Sequence, residues 1–114
     1  MLSAGSQVQF LAAALRGLDA QREAAEHNLA NIETPGFRAR RVSFADSLRD
    51  AMAAGDPSLA QVRVHQTRAG NRLDESNVNP TAEITSLELN ALQQQLVTEA
   101  INSHYDRLRT ALGA

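Results

Sequence analysis

The chain contains no cysteine, no lysine and no tryptophan, and its aromatic stock is Phe10, Phe37, Phe44 and Tyr105. Without thiols, a disulfide framework, a thiolate zinc site and a nucleophilic cysteine are all excluded. All 11 basic residues are arginine, and 13 acidic residues leave a net charge of −2. The strong basic excess of a general nucleic-acid binder is missing. Long apolar runs are missing too: the longest, residues 10–15, has six residues, against roughly 20 needed to cross a bilayer. No basic residue precedes that run, so a cleaved secretory signal is not expected. Aromatic and β-branched residues are too scarce for an all-β fold.

Helix formers are abundant instead, with 20 alanines and 14 leucines in 114 residues. One domain is the most that this length supports. Val8, Leu11, Leu15, Leu18, Arg22, Ala25, Leu29 and Ile32 alternate spacings of three and four, as an a/d seam does. Arg22 breaks the apolar pattern and reads as a register-setting position or as a seam position met by a polar partner. Ser6 is the expected N-cap, and the helix must end before Pro35, because a residue preceding proline is pushed out of the α region. Pro35 and Gly36 suit the two central positions of a turn.

A second long helix is expected from Pro80 onward, capped by Asn79 and with Glu83 in its first turn. Ile84, Leu87, Ala91, Ile101, Tyr105, Leu108 and Leu112 form its seam, and Leu89, Leu92 and Leu96 add a second stripe. Between the helices, residues 38–78 read as an irregular and partly disordered middle. Within it, Phe44, Leu48 and Met52 allow a short helix, residues 61–66 carry a faint strand alternation, and residues 67–77 are loop-like. The expected fold is all-α, two terminal helices forming an antiparallel coiled-coil hairpin. Residues 1–37 hold the first helix and turn, 38–78 the middle, and 79–114 the second helix. Helices of about 26 and 33 residues would run roughly 39 and 50 Å. A compact domain of this size is only about 34 Å across. A hairpin cannot cover so wide a second face, so the surplus surface calls for another subunit.

The most specific string is Asn28-Leu29-Ala30-Asn31-Ile32-Glu33-Thr34-Pro35-Gly36-Phe37-Arg38. Asn28 and Asn31 share a helix face, and each carboxamide offers donors and an acceptor to nearby backbone. Read as chemistry alone, it is an ordinary helix end. As a string it closely resembles the N-terminal signature of the bacterial flagellar rod and hook proteins, matched at Asn28, Leu29, Ala30, Asn31, Thr34, Pro35, Gly36, Phe37 and Arg38. Ser76-Asn77-Val78-Asn79, followed by Glu83-Ile84, resembles that family's lead into the C-terminal helix, with Asn79 in place of the usual aspartate. Arg72-Leu73-Asp74 and the stretch from His104 to Leu112 look most like the proximal rod members. The short middle and Gln93-Gln94-Gln95 depart from the family pattern.

The resemblance implies a non-enzymatic structural subunit of the basal-body rod, without cofactor, metal or small-molecule substrate. It implies export through the flagellar type III apparatus without a cleaved signal, then self-assembly into a hollow periplasmic drive shaft. Implied partners are further copies of the chain, other rod proteins, the rod–membrane-ring junction protein and the export apparatus. Val8, Leu11, Leu15, Leu18, Leu29, Ile32, Ile84, Leu87, Leu89, Leu92, Leu96, Ile101, Tyr105 and Leu108 would serve helix pairing and assembly. Phe44 and Leu48 resemble an aromatic–aliphatic export element. Another rod or hook subunit is the alternative within the family. From a different class, a nucleic-acid-binding regulator would use the arginines at 38, 40 and 41. Catalytic and metal sites find little support: Glu23 with His27 and Glu99 with His104 lack the Glu-x-x-His pattern of bundle metal sites, and His65 stands alone.

Overall fold

A computed structural model describes residues 4–67 and 78–113. Helix α1 spans Ala4–Ala30, strand β1 Arg40–Ser43, helix α2 Ala45–Ala54, strand β2 Arg63–Gln66 and helix α3 Pro80–Ala111. A single 3-10 turn, Pro57–Leu59, follows α2. The shape is elongated, 62 × 27 × 13 Å with a radius of gyration of 17.6 Å, against about 13 Å for a compact chain of this length. The two long helices set that length.

α1 is the central element and touches α3, β1, α2 and the 3-10 turn. Its buried residues include Phe10, Ala13, Leu18, Ala24 and Ala25. α1 already runs from Ala4, so Ser6 lies inside the helix and does not cap it. Arg22 also lies away from the buried face of α1. Its side chain is exposed and paired with Asp19 at 2.7 Å and Glu26 at 3.9 Å, so it sets no register between helices. The hydrogen bond to Asp19, then the nearby acidic charges, raise its pKa above the ordinary arginine value.

α3 starts as its sequence suggests, with Asn79 Oδ1 accepting from the Ala82 N–H at 3.2 Å and proline in the first turn. Its inward face differs from the expected one. Positions 83, 87, 90, 94, 97, 101 and 104 step by four and three, and every other position of α3 is exposed. The seam is therefore Glu83, Leu87, Asn90, Gln94, Val97, Ile101 and His104. Ile84, Ala91, Tyr105, Leu108 and Leu112, expected to face α1, lie outside it. Asn90 Nδ2 donates to the Leu18 carbonyl at 2.7 Å, and Gln94 Nε2 donates to Asn90 Oδ1 at 2.7 Å. Polar side chains can occupy such a seam because each bond is made internally. A hydrophobicity count passes over them.

The middle is not irregular over residues 40–66. β1 and β2 pair antiparallel, with Arg40 opposite Gln66 and Ser43 opposite Arg63, and α2 lies between them in sequence. β1 lacked a sequence signal because its residues are Arg-Arg-Val-Ser; its pairing is supplied from outside, by β2 and by α1. The short helix expected over 44–54 is α2, which stops at Gly55 with the Asp56 N–H donating to the Ala51 carbonyl at 3.0 Å. Residues 68–77, most of the stretch expected to be loop-like and including Arg72, Leu73, Asp74, Ser76 and Asn77, lie outside the described residues.

The core is small. Among the described residues, five of the seven buried apolar side chains are alanine, the others being Phe10 and Leu18. Eleven large apolar side chains among the described residues are exposed, seven of them on α3 or at its end.

Candidate functional site: a polar clamp and an uncovered helix face

The signature segment forms a joint between α1 and the sheet. Asn28 is fully buried. Its Oδ1 accepts the Arg40 N–H at 2.8 Å, and its Nδ2 donates to the Arg40 carbonyl at 3.0 Å and to Glu83 Oε1 at 3.1 Å. The carboxamide thus pairs with β1 as a strand would, through one donor and one acceptor. Glu83 Oε1 also accepts from Arg41 Nη1 at 2.6 Å, with the carboxylate buried and the guanidinium half-exposed. One asparagine and one glutamate therefore join α1, β1 and α3. No buried side-chain polar atom among the described residues is left without a partner.

The rest of the signature shapes the exit from α1. Asn31 Nδ2 donates to the His27 carbonyl at 2.9 Å, and Thr34 Oγ1 donates to Asn31 Oδ1 at 3.1 Å. The Phe37 N–H closes the turn on the Thr34 carbonyl at 3.2 Å. Gly36 has φ 73°, the conformation that a type II turn demands at its third residue and that glycine adopts without penalty. The Phe37 ring returns to His27, with centroids 5.4 Å apart. Leu29 and Ile32 are half-buried, whereas Ala30 and Arg38 are exposed.

Val8, Leu11 and Leu15 are half-buried and Leu18 is buried. On α3, Leu87 and Ile101 are half-buried, while Ile84, Leu89, Leu92, Leu96, Tyr105 and Leu108 are exposed. Leu89 borders a groove of about 360 Å³ lined also by Leu18, Gln21, Val42 and Phe44. Phe44 and Leu48 are both half-buried, and the Leu48 N–H donates to the Phe44 carbonyl at 2.8 Å. The Phe44 ring lies against Gly17, where an added Cβ would overlap the ring carbons. Glycine in a helix interior is unfavourable by about 1 kcal/mol relative to alanine; here it admits the aromatic ring.

The missed residues are Glu83 and Asn90 as seam positions, and Gly17 as the seat of Phe44. Position 83 was legible only as a first-turn acid. Spacing four and three from it would have led to 87 and 90. Among the described residues no three His, Asp or Glu side chains converge as a metal site would require. Of the arginines at 38, 40 and 41, Arg41 partners the acidic Glu83, while Arg38 and Arg40 are exposed.

No family model matches the chain. The chain is similar to the flagellar basal body rod protein FlgB of Bacillus subtilis, 28% identical over 130 aligned positions that cover 92% of each chain. It is also similar to the proteins of that name from Escherichia coli and Shigella flexneri, each 36% identical over 68 residues. That stretch is 59% of this chain and spans about half, 49%, of each of those two relatives. On these relatives and the signature at 28–38, the chain is FlgB-like, similar in sequence to the flagellar basal body rod proteins.

Proposed function

We propose that the chain is a structural subunit of the flagellar basal-body rod, and that its residues serve burial and rigidity rather than catalysis. The observation that carries this reading is the mismatch between a mostly alanine core and the row of large apolar side chains left open on α3. Leu89, Leu92 and Leu96 are spaced for one helix face. Burying a leucine fully is worth roughly 1.5–3 kcal/mol, and this face gains nothing until something covers it. Neighbouring subunits would do so in a polymer of this chain and other rod proteins.

In this reading the ends, residues 1–37 and 79–114, act as one discontinuous helical unit, an antiparallel coiled coil. Support comes from the contacts: Asn28 meets Glu83 near the start of α3, while Leu18, earlier in α1, meets Asn90, later in α3. The subunit would pass unfolded through the flagellar type III apparatus, without a cleaved signal. It would then take a periplasmic position beside the membrane ring and its junction protein. Phe44 and Leu48 would be read by the export gate only in the unfolded chain, since both are partly covered in the folded one.

Deletion of the coding sequence, followed by motility assays and imaging of basal bodies, tests the reading. Loss of the rod with retention of the membrane ring is the expected result. Intact rods in the deletion strain would overturn it. Secretion of Phe44→Ala, with cytoplasmic levels as control, tests the export element separately; normal secretion removes it.

A further inference from the structure

The capture of Arg40 by Asn28 settles which backbone groups of the small sheet point away from the ladder. In an antiparallel ladder, opposed residues alternate between pairs that exchange both backbone bonds and pairs whose N–H and C=O point outward. Arg40 directs both of its groups to Asn28, away from β2. One residue earlier, the Ala39 carbonyl accepts from the Thr67 N–H at 2.9 Å. In phase with that bond, the exchanging pairs of the ladder are Arg41 with His65 and Ser43 with Arg63. On β2, Val64 and Gln66 must then turn their N–H and C=O groups outward. All four residues of β2 are exposed, and Val64 at 58% exposure presents an apolar side chain at the centre of the edge.

The charged side chains on the two strands themselves are arginine. Arg63 lies on β2, Arg40 is opposite Gln66, and Arg38 just precedes β1; all three are exposed. None forms an ion pair with a described carboxylate, whereas Arg22, Arg41 and Arg49 each do. Charged side chains on an edge strand can also deter pairing. Deterrence would place the charge at the centre of the edge, where this chain has Val64.

We propose that the outer edge of β2 accepts an extended, acidic segment of a partner protein as a third strand. Backbone bonds to Val64 and Gln66 supply the binding, in the strand-addition mode of peptide recognition. Since side chains alternate faces along a strand, valines of the partner lie on the face of Val64 and its carboxylates on the face of Arg63, which selects for them. This assignment stands on the sheet alone and does not rest on the rod reading.

The test uses the full chain, labelled with ¹⁵N, and three short synthetic peptides. One alternates valine and glutamate, one alternates valine and lysine, and the third is the glutamate peptide with alternate backbone nitrogens methylated. The glutamate peptide is expected to bind, to slow amide exchange at Val64 and Gln66 by about tenfold or more, and to weaken with salt. The other two should not bind. Val64→Pro removes an outward N–H and leaves the ladder intact, since edge strands tolerate proline there. It should abolish binding while the α1 and α3 amides stay protected. Arg63→Glu should weaken the glutamate peptide and improve the lysine one. Equal binding of glutamate and lysine peptides, no binding of either, or retained binding by Val64→Pro overturns the proposal. Concentration-dependent protection of Val64 and Gln66 without any peptide would assign the edge to a second copy, which also overturns it.

Discussion

Asn28 shows how much one side chain can decide. Its three hydrogen bonds satisfy both backbone groups of Arg40 and one oxygen of Glu83. Asn28→Ala leaves those groups without their partner, and an unsatisfied buried polar group costs about 1–3 kcal/mol. The urea midpoint should fall accordingly, with the m-value unchanged. Gly17 and Phe44 form a second residue-scale test. Gly17→Ala should improve helix propensity by about 1 kcal/mol, yet the added Cβ meets the Phe44 ring, and overpacking costs about 1–3 kcal/mol. The single variant is expected to destabilise. In a Phe44→Ala background the same change should stabilise, so the double-mutant cycle must change sign. Asp56 offers a pH test. The Ser58 hydroxyl and then the Ser58 N–H donate to its carboxylate, lowering its pKa below the ordinary 3.8. Asp56 caps the 3-10 turn, and its lowered folded pKa means that the cap's contribution is fully present above the ordinary value and is lost as pH falls through the folded one. The Asp56 carboxyl should titrate below 3.8, and Ser58→Ala should move the midpoint upward.

At the scale of elements, β1 is held from two sides, by Asn28 on α1 and by Glu83 on α3. Glu83→Ala frees Arg41, whose half-exposed guanidinium can return to water, so the loss should be smaller than for a fully buried pair. The expected signature is local: faster amide exchange over Arg40–Ser43 with little change in helix content. Equal loosening of α3 would show instead that Glu83 serves the helix start. The strand edge, the Asn28 bond and the turn at Gly36 act in series. Each positions the next, so the eleven residues from 28 to 38 behave as one joint.

The whole molecule is a long, thin body with little interior of its own. Leu18 is 5% exposed and Leu92 is 53% exposed. Leu18→Ala should cost about 2–5 kcal/mol in the isolated chain, while Leu92→Ala should stay within about 0.5 kcal/mol. Complementation should invert the contrast: Leu92→Ala impairs motility although its monomer melts normally. Equal melting of the two variants would mean that the stripe at 89, 92 and 96 belongs to the subunit's own core.

Leucine and alanine content, the stop at Pro35-Gly36 and the Asn79-Pro80 start determined by themselves that two long helices would form, and roughly where. Those are local effects, carried by backbone propensity and capping within a few residues. The string from Asn28 to Arg38 was legible as a signature but not as a clamp, because its partners Arg40 and Glu83 lie 12 and 55 positions away. β1 was invisible because a strand of Arg-Arg-Val-Ser has no pattern of its own and exists through β2 and α1. The inward face of α3 was misread for a related reason. Counting apolar residues favoured Ile84, Tyr105 and Leu108, but the position of Leu18 opposite Asn90 chose a narrow seam that includes Glu83, Asn90 and Gln94. Only tertiary packing decides which polar groups find partners, since burial is favourable for them only where a donor or acceptor already waits.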